Sequence, residues 1–146
     1  MNPNRNPSLL SIVRTDYYTF LSLLFVVILW IFFGFFQILN PGIPSGSLFA
    51  AVGVSLVALT ISIWRIQIIL ALFNGGIQLS ATITECWLFR GHGRINYTYT
   101  YRGHDYLSGN DLVPTGEAKR IRVGDRVTVI IDPENPARAI IMDLFS

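Results

Sequence analysis

The chain has 146 residues, of which 51% are apolar and 14% charged, and its formal net charge is +2. That length holds two membrane-spanning helices and one small domain, and little more. From Arg65 onward nine Lys or Arg stand against eight Asp or Glu, a balance that argues against electrostatic binding of nucleic acid.

Met1 to Arg14 is polar, with Asn2, Pro3, Asn4, Asn6 and Pro7. It reads as a frayed tail that becomes helical near Ser8. Between Asp16 and Arg65 there is no charged side chain. Charge in hydrocarbon costs several kcal/mol, so long uncharged apolar runs mark membrane spans. Tyr17 to Leu39 is the first span, with Tyr17 and Tyr18 suited to an interfacial belt. It exceeds the roughly 7–15 apolar residues of a secretory signal, and no small-x-small cleavage pattern follows it, so cleavage is not expected. No cysteine lies near it, which excludes a lipoprotein.

Asn40 to Ser47 contains two prolines and two glycines and reads as a tight turn between antiparallel helices. Leu48 to Trp64 is the second span. Ala51, Ser55, Ala58 and Ser62 place small residues on one of its faces, which lets another helix approach closely. Packing on the first span is preferred over docking of a partner helix. Arg65 marks the membrane edge, its long stem reaching the headgroups. Ile66 to Phe73 extends the helix, either along the interface or into the cytoplasm, until Asn74-Gly75-Gly76 stops it.

From Ile77 the period becomes two. Ile77, Leu79, Ala81, Ile83, Glu85, Trp87 and Phe89 alternate with Gln78, Ser80, Thr82, Thr84, Cys86 and Leu88. After a turn at Arg90–Gly93, Ile95, Tyr97, Tyr99 and Tyr101 alternate with polar residues in the clearest strand. Tyr106 to Leu112 is a weaker strand, and Arg120 to Val123 is a candidate short one. Arg126 to Ile131 and Ala139 to Leu144 flank a rigid turn at Asp132-Pro133-Glu134-Asn135-Pro136. Five or six short strands indicate a small antiparallel β-barrel or curled sheet.

The expected fold is therefore membrane α+β. A tail (1–16) leads to a two-helix transmembrane hairpin (17–73, spans 17–39 and 48–64), followed by a β-domain (77–146). The arginines of the tail and the β-domain, against none in the turn, place both termini in the cytoplasm of a cell inner (plasma) membrane. The lone Cys86 cannot form an internal disulfide and fits a reducing compartment.

A closing Gly124, Val127, Val129, Asp132, Pro133, Asn135, Pro136 and Ala139 pattern, with Tyr97, Tyr99, Gly103 and Tyr106 before it, resembles an uncharacterised domain family of small bacterial two-span membrane proteins. The resemblance covers about residues 75 to 144. It implies two spans followed by a β-domain, and it supplies no catalytic residue.

The residues themselves point to no catalytic, metal or cofactor site. His92 and His104 flank one strand and are separated by roughly 26 Å, too far to share a metal. Asp132 to Pro136 is a turn-forming sequence. Cys86 lacks a neighbouring base that would lower its pKa. No phosphate loop or nucleophile elbow occurs. Two binding surfaces remain. Arg65, Lys119, Arg120, Arg122 and Arg126 could contact lipid headgroups at about 1 kcal/mol each, although a solvated, aggregation-resistant edge is preferred for the last four. Tyr97, Tyr99 and Tyr101 form either a core ladder, which is preferred, or a partner surface. The expected function is that of a non-enzymatic membrane accessory or scaffold protein. Its partners are the lipid bilayer and a membrane protein or a second copy of itself. A membrane-tethered sensor with a ligand inside the barrel is the alternative.

Overall fold

The computed structural model describes residues 7–40, 42 and 45–145. The expected tail at Met1–Asn6, and Pro41, Ile43 and Pro44 of the expected turn, lie outside the described residues. Three helices come first: α1 (Leu9–Thr15), α2 (Tyr17–Leu39) and α3 (Ser45–Gly75). Ser8 caps α1 by accepting from the Ser11 amide. Asp16, in an extended conformation, ends α1 with its backbone and caps α2 with its carboxylate. The α2 and α3 helices are long and apolar enough to cross a membrane. Their contacts join residue 16 to 65, 22 to 62 and 30 to 55, so the two helices run antiparallel.

Five strands follow: β1 (Ile77–Phe89), β2 (His92–Tyr101), β3 (His104–Leu112), β4 (Arg126–Ile131) and β5 (Ala139–Ile141). They form one curled antiparallel sheet, a half-barrel, in the order β3-β2-β1-β4-β5. The two-residue loop Arg102-Gly103 has positive φ at both positions, 51° and 80°, the backbone that matches the twist of a hairpin. The candidate strand at Arg120–Val123 is absent. A 3-10 turn at Ala118–Arg120 occupies part of that segment instead, and Ile121 is extended behind it. Gly124, with φ of 91°, then lets the chain exchange both backbone bonds with Ile83: the Gly124 amide donates to the Ile83 carbonyl and the Ile83 amide to the Asp125 carbonyl.

The concave side of the sheet is filled. Ile83, Ile95, Tyr97, Leu112, Val129 and Ile131 are almost wholly buried there, together with Ile69 and Leu72 of α3. The apolar segment Ile66–Phe73 thus owes its character to packing on the β-domain, and α3 runs unbroken from the apolar hairpin into that core. The segment reading as a frayed tail is likewise docked from Leu9 onward. Ile12 is fully buried, the Ser11 hydroxyl donates to the Phe145 carbonyl at 2.9 Å and the Thr15 hydroxyl to the Leu144 carbonyl at 3.2 Å.

Closure of the half-barrel depends on Asn110, 7% exposed. Its amide nitrogen donates to the Ala139 carbonyl at 3.1 Å, and its oxygen accepts from the Ile141 amide at 3.1 Å and the Tyr97 hydroxyl at 3.0 Å. One side chain on edge strand β3 so replaces the ladder that would join it to β5.

Candidate functional site

The two charges that bracket the apolar run meet in space. The Arg65 guanidinium grips the Asp16 carboxylate through Nη2 at 3.0 Å and Nε at 3.2 Å. The other carboxylate oxygen accepts from the Thr19 amide at 3.0 Å and the Thr19 hydroxyl at 2.8 Å. The Asp16 side chain is 2% exposed and that of Arg65 30%. A charge this buried is tolerated because both oxygens are saturated and the partner is a planar fork. The Arg65 guanidinium also lies 5.6 Å from the centre of the Tyr18 ring, within cation–π range. Next to Asp16 the chain bonds to the end of β3: Asp16 bridges Leu112, and the Val113 amide donates to the Thr15 carbonyl at 2.9 Å. Helix pair and sheet are therefore joined at one buried point. Arg65, read from sequence as a headgroup contact, spends its guanidinium on this internal pair.

Ala51, Ser55, Ala58 and Ser62 are all buried at the contact with α2. The Trp30 indole donates to the Ser55 hydroxyl at 3.0 Å, and the Ser22 and Ser62 hydroxyls are 2.6 Å apart. This face is the seam between the two helices of one chain. A separate crevice of about 850 Å³ opens between them, lined by Leu21, Phe25, Gly53, Val54 and Val57 among others.

The tyrosine ladder divides. Tyr97 and Tyr99 are 0% and 3% exposed, so neither presents a surface to a partner, and only Tyr101 is partly accessible. Burial pushes the Tyr97 phenol well above the usual tyrosine range, opposed by its hydrogen-bonding contacts with Ser108 and with Asn110, to whose Oδ1 the phenol donates. Burial, then the neighbouring Tyr106, raises Tyr99 as well. The Tyr99 hydroxyl donates to the Pro136 carbonyl and so pins the β4–β5 turn. Within that turn the Glu134 amide donates to Asp132 Oδ1 at 2.9 Å and the Arg138 amide to the Asn135 carbonyl at 2.9 Å, which gives the Asp132 carboxylate a structural role.

Lys119, Arg120 and Arg122 are exposed along the segment between β3 and β4, and Arg126 is exposed at the start of β4. Arg122 donates to the Lys119 carbonyl at 3.2 Å. An open groove of about 760 Å³ lies between α1 and this segment, with Arg14, Glu117 and Arg120 on its walls. His92 and His104 sit at opposite ends of the β2–β3 pair. Among the described residues no group of three His, Cys, Asp or Glu could hold a metal. Cys86 faces the core side, bonded weakly to the Ile121 carbonyl, and burial raises its thiol pKa against the lowering effect of Arg122. That leaves it a poor nucleophile.

The outer end of β1 departs from the sequence pattern. Strict alternation puts Ile83, Glu85, Trp87 and Phe89 on one face. A β-bulge between Ile83 and Glu85 shifts the register, so Cys86 and Leu88 turn inward while Trp87 and Phe89 are 52% and 64% exposed. Their rings stack at 6.0 Å. Trp87 also meets His92 edge-on at 5.6 Å, and His92 lies 4.4 Å from the Tyr17 ring. Asp111 ties this cluster to α2, accepting from the Tyr18 hydroxyl at 3.2 Å and from Arg94 at 3.2 Å. Sequence reading assigned no role to Asp16, Asn110, Trp87 or Phe89. Only Asp16 carried a usable signal, as the charge facing Arg65 across the apolar run.

Residues 79–146 match the family model described as a domain of unknown function, DUF3592. The match covers the sheet and leaves out the helices. No curated protein and no solved structure matches the chain.

Proposed function

We propose that the chain is a non-enzymatic integral membrane accessory protein: a two-span anchor that holds the β-domain rigidly at the cytoplasmic face, where domain and helix faces dock on a membrane-protein partner or a second copy. The observation that carries this role is the buried junction at Asp16, where the pair with Arg65 ties α2 to α3 and the backbone bridge to Leu112 ties both to the sheet. A domain on a flexible tether would need no such junction. A docked α1 and the run of α3 into the core make the mounting stiff.

Burial favours a lipid setting for the helices. In the most apolar stretch of α2 only 6% of residues are buried, whereas a core helix of a soluble protein is mostly covered. Large side chains such as Phe32, Phe35 and Ile38 stand exposed along it, a face suited to acyl chains. The arginine distribution supports cytoplasmic termini, and the resemblance to small bacterial two-span proteins is consistent with an inner membrane. The filled concave side of the sheet weighs against a ligand held inside it.

Purification of the tagged chain from its native membrane in a mild detergent tests the role. The expected product is a stoichiometric complex with one membrane protein or a defined homo-oligomer. Recovery of monomer alone, after solubilisation shown to preserve other complexes, contradicts it.

A further inference from the structure

We infer that the β1–β2 hairpin tip is a second membrane contact, with Trp87 and Phe89 seated in the headgroup layer beside the start of α2. The inference rests on the membrane reading of α2 and α3. Its geometry comes from the path of the chain. Beyond Arg65, α3 continues through Gly75, carrying the chain roughly 15 Å past the junction. There β1 begins, and its far end returns to α2: Phe89 pairs with His92, whose ring lies 4.4 Å from that of Tyr17. Tyr17 is the first residue of the first apolar helix, so the hairpin tip sits level with the point where that helix enters the bilayer.

The side chains there suit that depth. Trp87 and Phe89 are 52% and 64% exposed and stacked, an uncovered apolar pair on a small sheet. Indole rings favour the boundary between headgroups and acyl chains, where the ring is partly dehydrated and the N–H keeps a polar partner. Arg90 in the loop is exposed and follows Phe89 directly, three residues after Trp87, placed to meet a lipid phosphate. The bulge after Ile83 turns this pair outward; without it both rings would point into the core. The occupant proposed is the lipid headgroup layer, because the patch continues the boundary that Tyr17 and Tyr18 mark on α2.

The test uses the full chain in vesicles of phosphatidylcholine and phosphatidylglycerol carrying lipids brominated near the headgroup or deep in the chain. Two single-tryptophan variants are compared: W30F/W64F, which keeps Trp87, and W64F/W87F, which keeps Trp30. The expected result is blue-shifted Trp87 emission quenched by the shallow bromines and shielded from aqueous iodide. Deep quenching of Trp30 with full iodide access at Trp87 overturns the hairpin contact while leaving the spans intact. Absence of bromine quenching at both positions overturns the membrane reading itself. Because W30F removes the bond to Ser55, a second measurement keeps every tryptophan. A nitroxide on the C86S/F89C variant is expected to show greater access to oxygen than to an aqueous nickel chelate. The reverse order overturns the inference.

Discussion

At the scale of single residues, the structure depends on a few polar groups whose partners lie far away in sequence. Asp16 is the clearest. Replacing it by Ala leaves the Arg65 guanidinium without its carboxylate at a mostly buried site, a loss of about 3–5 kcal/mol for a buried pair. We expect D16A to lower the thermal midpoint in detergent strongly, and R65K to fail as a substitute because an ammonium cannot reproduce the two-pronged grip. The D16A/R65L double variant should recover part of the loss, since neither charge is then orphaned; strict additivity of the two single changes would contradict a direct coupling. Asn110→Ala removes three hydrogen bonds, two of which close the half-barrel onto β5. The expected cost is about 2–3 kcal/mol, with amide exchange rising first in Ala139–Ile141. Tyr97 gives a pH signature. Its folded-state pKa is raised by burial, so its neutral form is bound up with the fold. That contribution is intact below about pH 10, the ordinary tyrosine value, and is lost as pH rises further. Alkaline titration should therefore show one phenol that ionises only as the β-domain unfolds, and Y97F should remove that step. Asp16 could be anticipated in part, because it and Arg65 delimit the same apolar run. Asn110 could not, since a polar residue in a strand looks the same whether it faces water or a broken ladder.

At the scale of elements, the helices and strands were legible where side-chain period alone decides them. The apolar runs define α2 and most of α3, and the Tyr97–Tyr101 alternation defines β2. Three features escaped that logic, each because tertiary packing overrides the local pattern. The helix expected from near Ser8 forms as α1 but is not a frayed end: Ile12, beside Leu9, Leu10 and Val13, is fully buried in the core. Ile66–Phe73, whose period leaves open whether it lies along the interface or runs on past it, packs on the core. The β1 bulge reverses the faces of Cys86, Trp87 and Phe89, and a one-residue insertion leaves no mark in an alternating sequence. The junction between α3 and β1 is tight enough to demand glycine. A Cβ on Gly76 would stand 2.5 Å from the Leu72 carbonyl oxygen and 2.9 Å from that of Ile131, and would overlap the Ile130 side chain. Gly76→Ala is expected to destabilise the domain by more than the usual 1 kcal/mol or so of a surface change, while Gly53→Ala, with open space around it, should be neutral. Comparable thermal midpoints for the two variants would contradict the close approach. On the helix seam, Ser62→Leu would force α2 and α3 apart at their closest polar contact, and should reduce the yield of folded protein in detergent.

At the scale of the whole molecule, anchor and domain form one body. The apolar hairpin holds the sheet through α1, the run of α3 into the core and the Asp16–Leu112 bridge, and Lys119, Arg120, Arg122 and Arg126 are exposed on the β-domain. Those four remain candidates for the headgroup layer. If they contribute, binding of the folded chain's β-face to anionic surfaces should weaken on charge reversal and at raised salt, because Coulomb attraction at a membrane surface falls off within about a Debye length. The match to a domain of unknown function extends over the sheet alone, so a partner must be sought through surfaces of this chain. The most direct test is photo-crosslinking in intact native membranes, with a photoreactive residue placed in turn at Leu56 and Val57 on the exposed face of α3 and at Leu107 on the outer edge of the sheet. The proposed accessory role predicts one discrete adduct from at least one of these sites, of a mass that identifies either a second copy or a single membrane protein. Only uncrosslinked monomer from all three sites would contradict it.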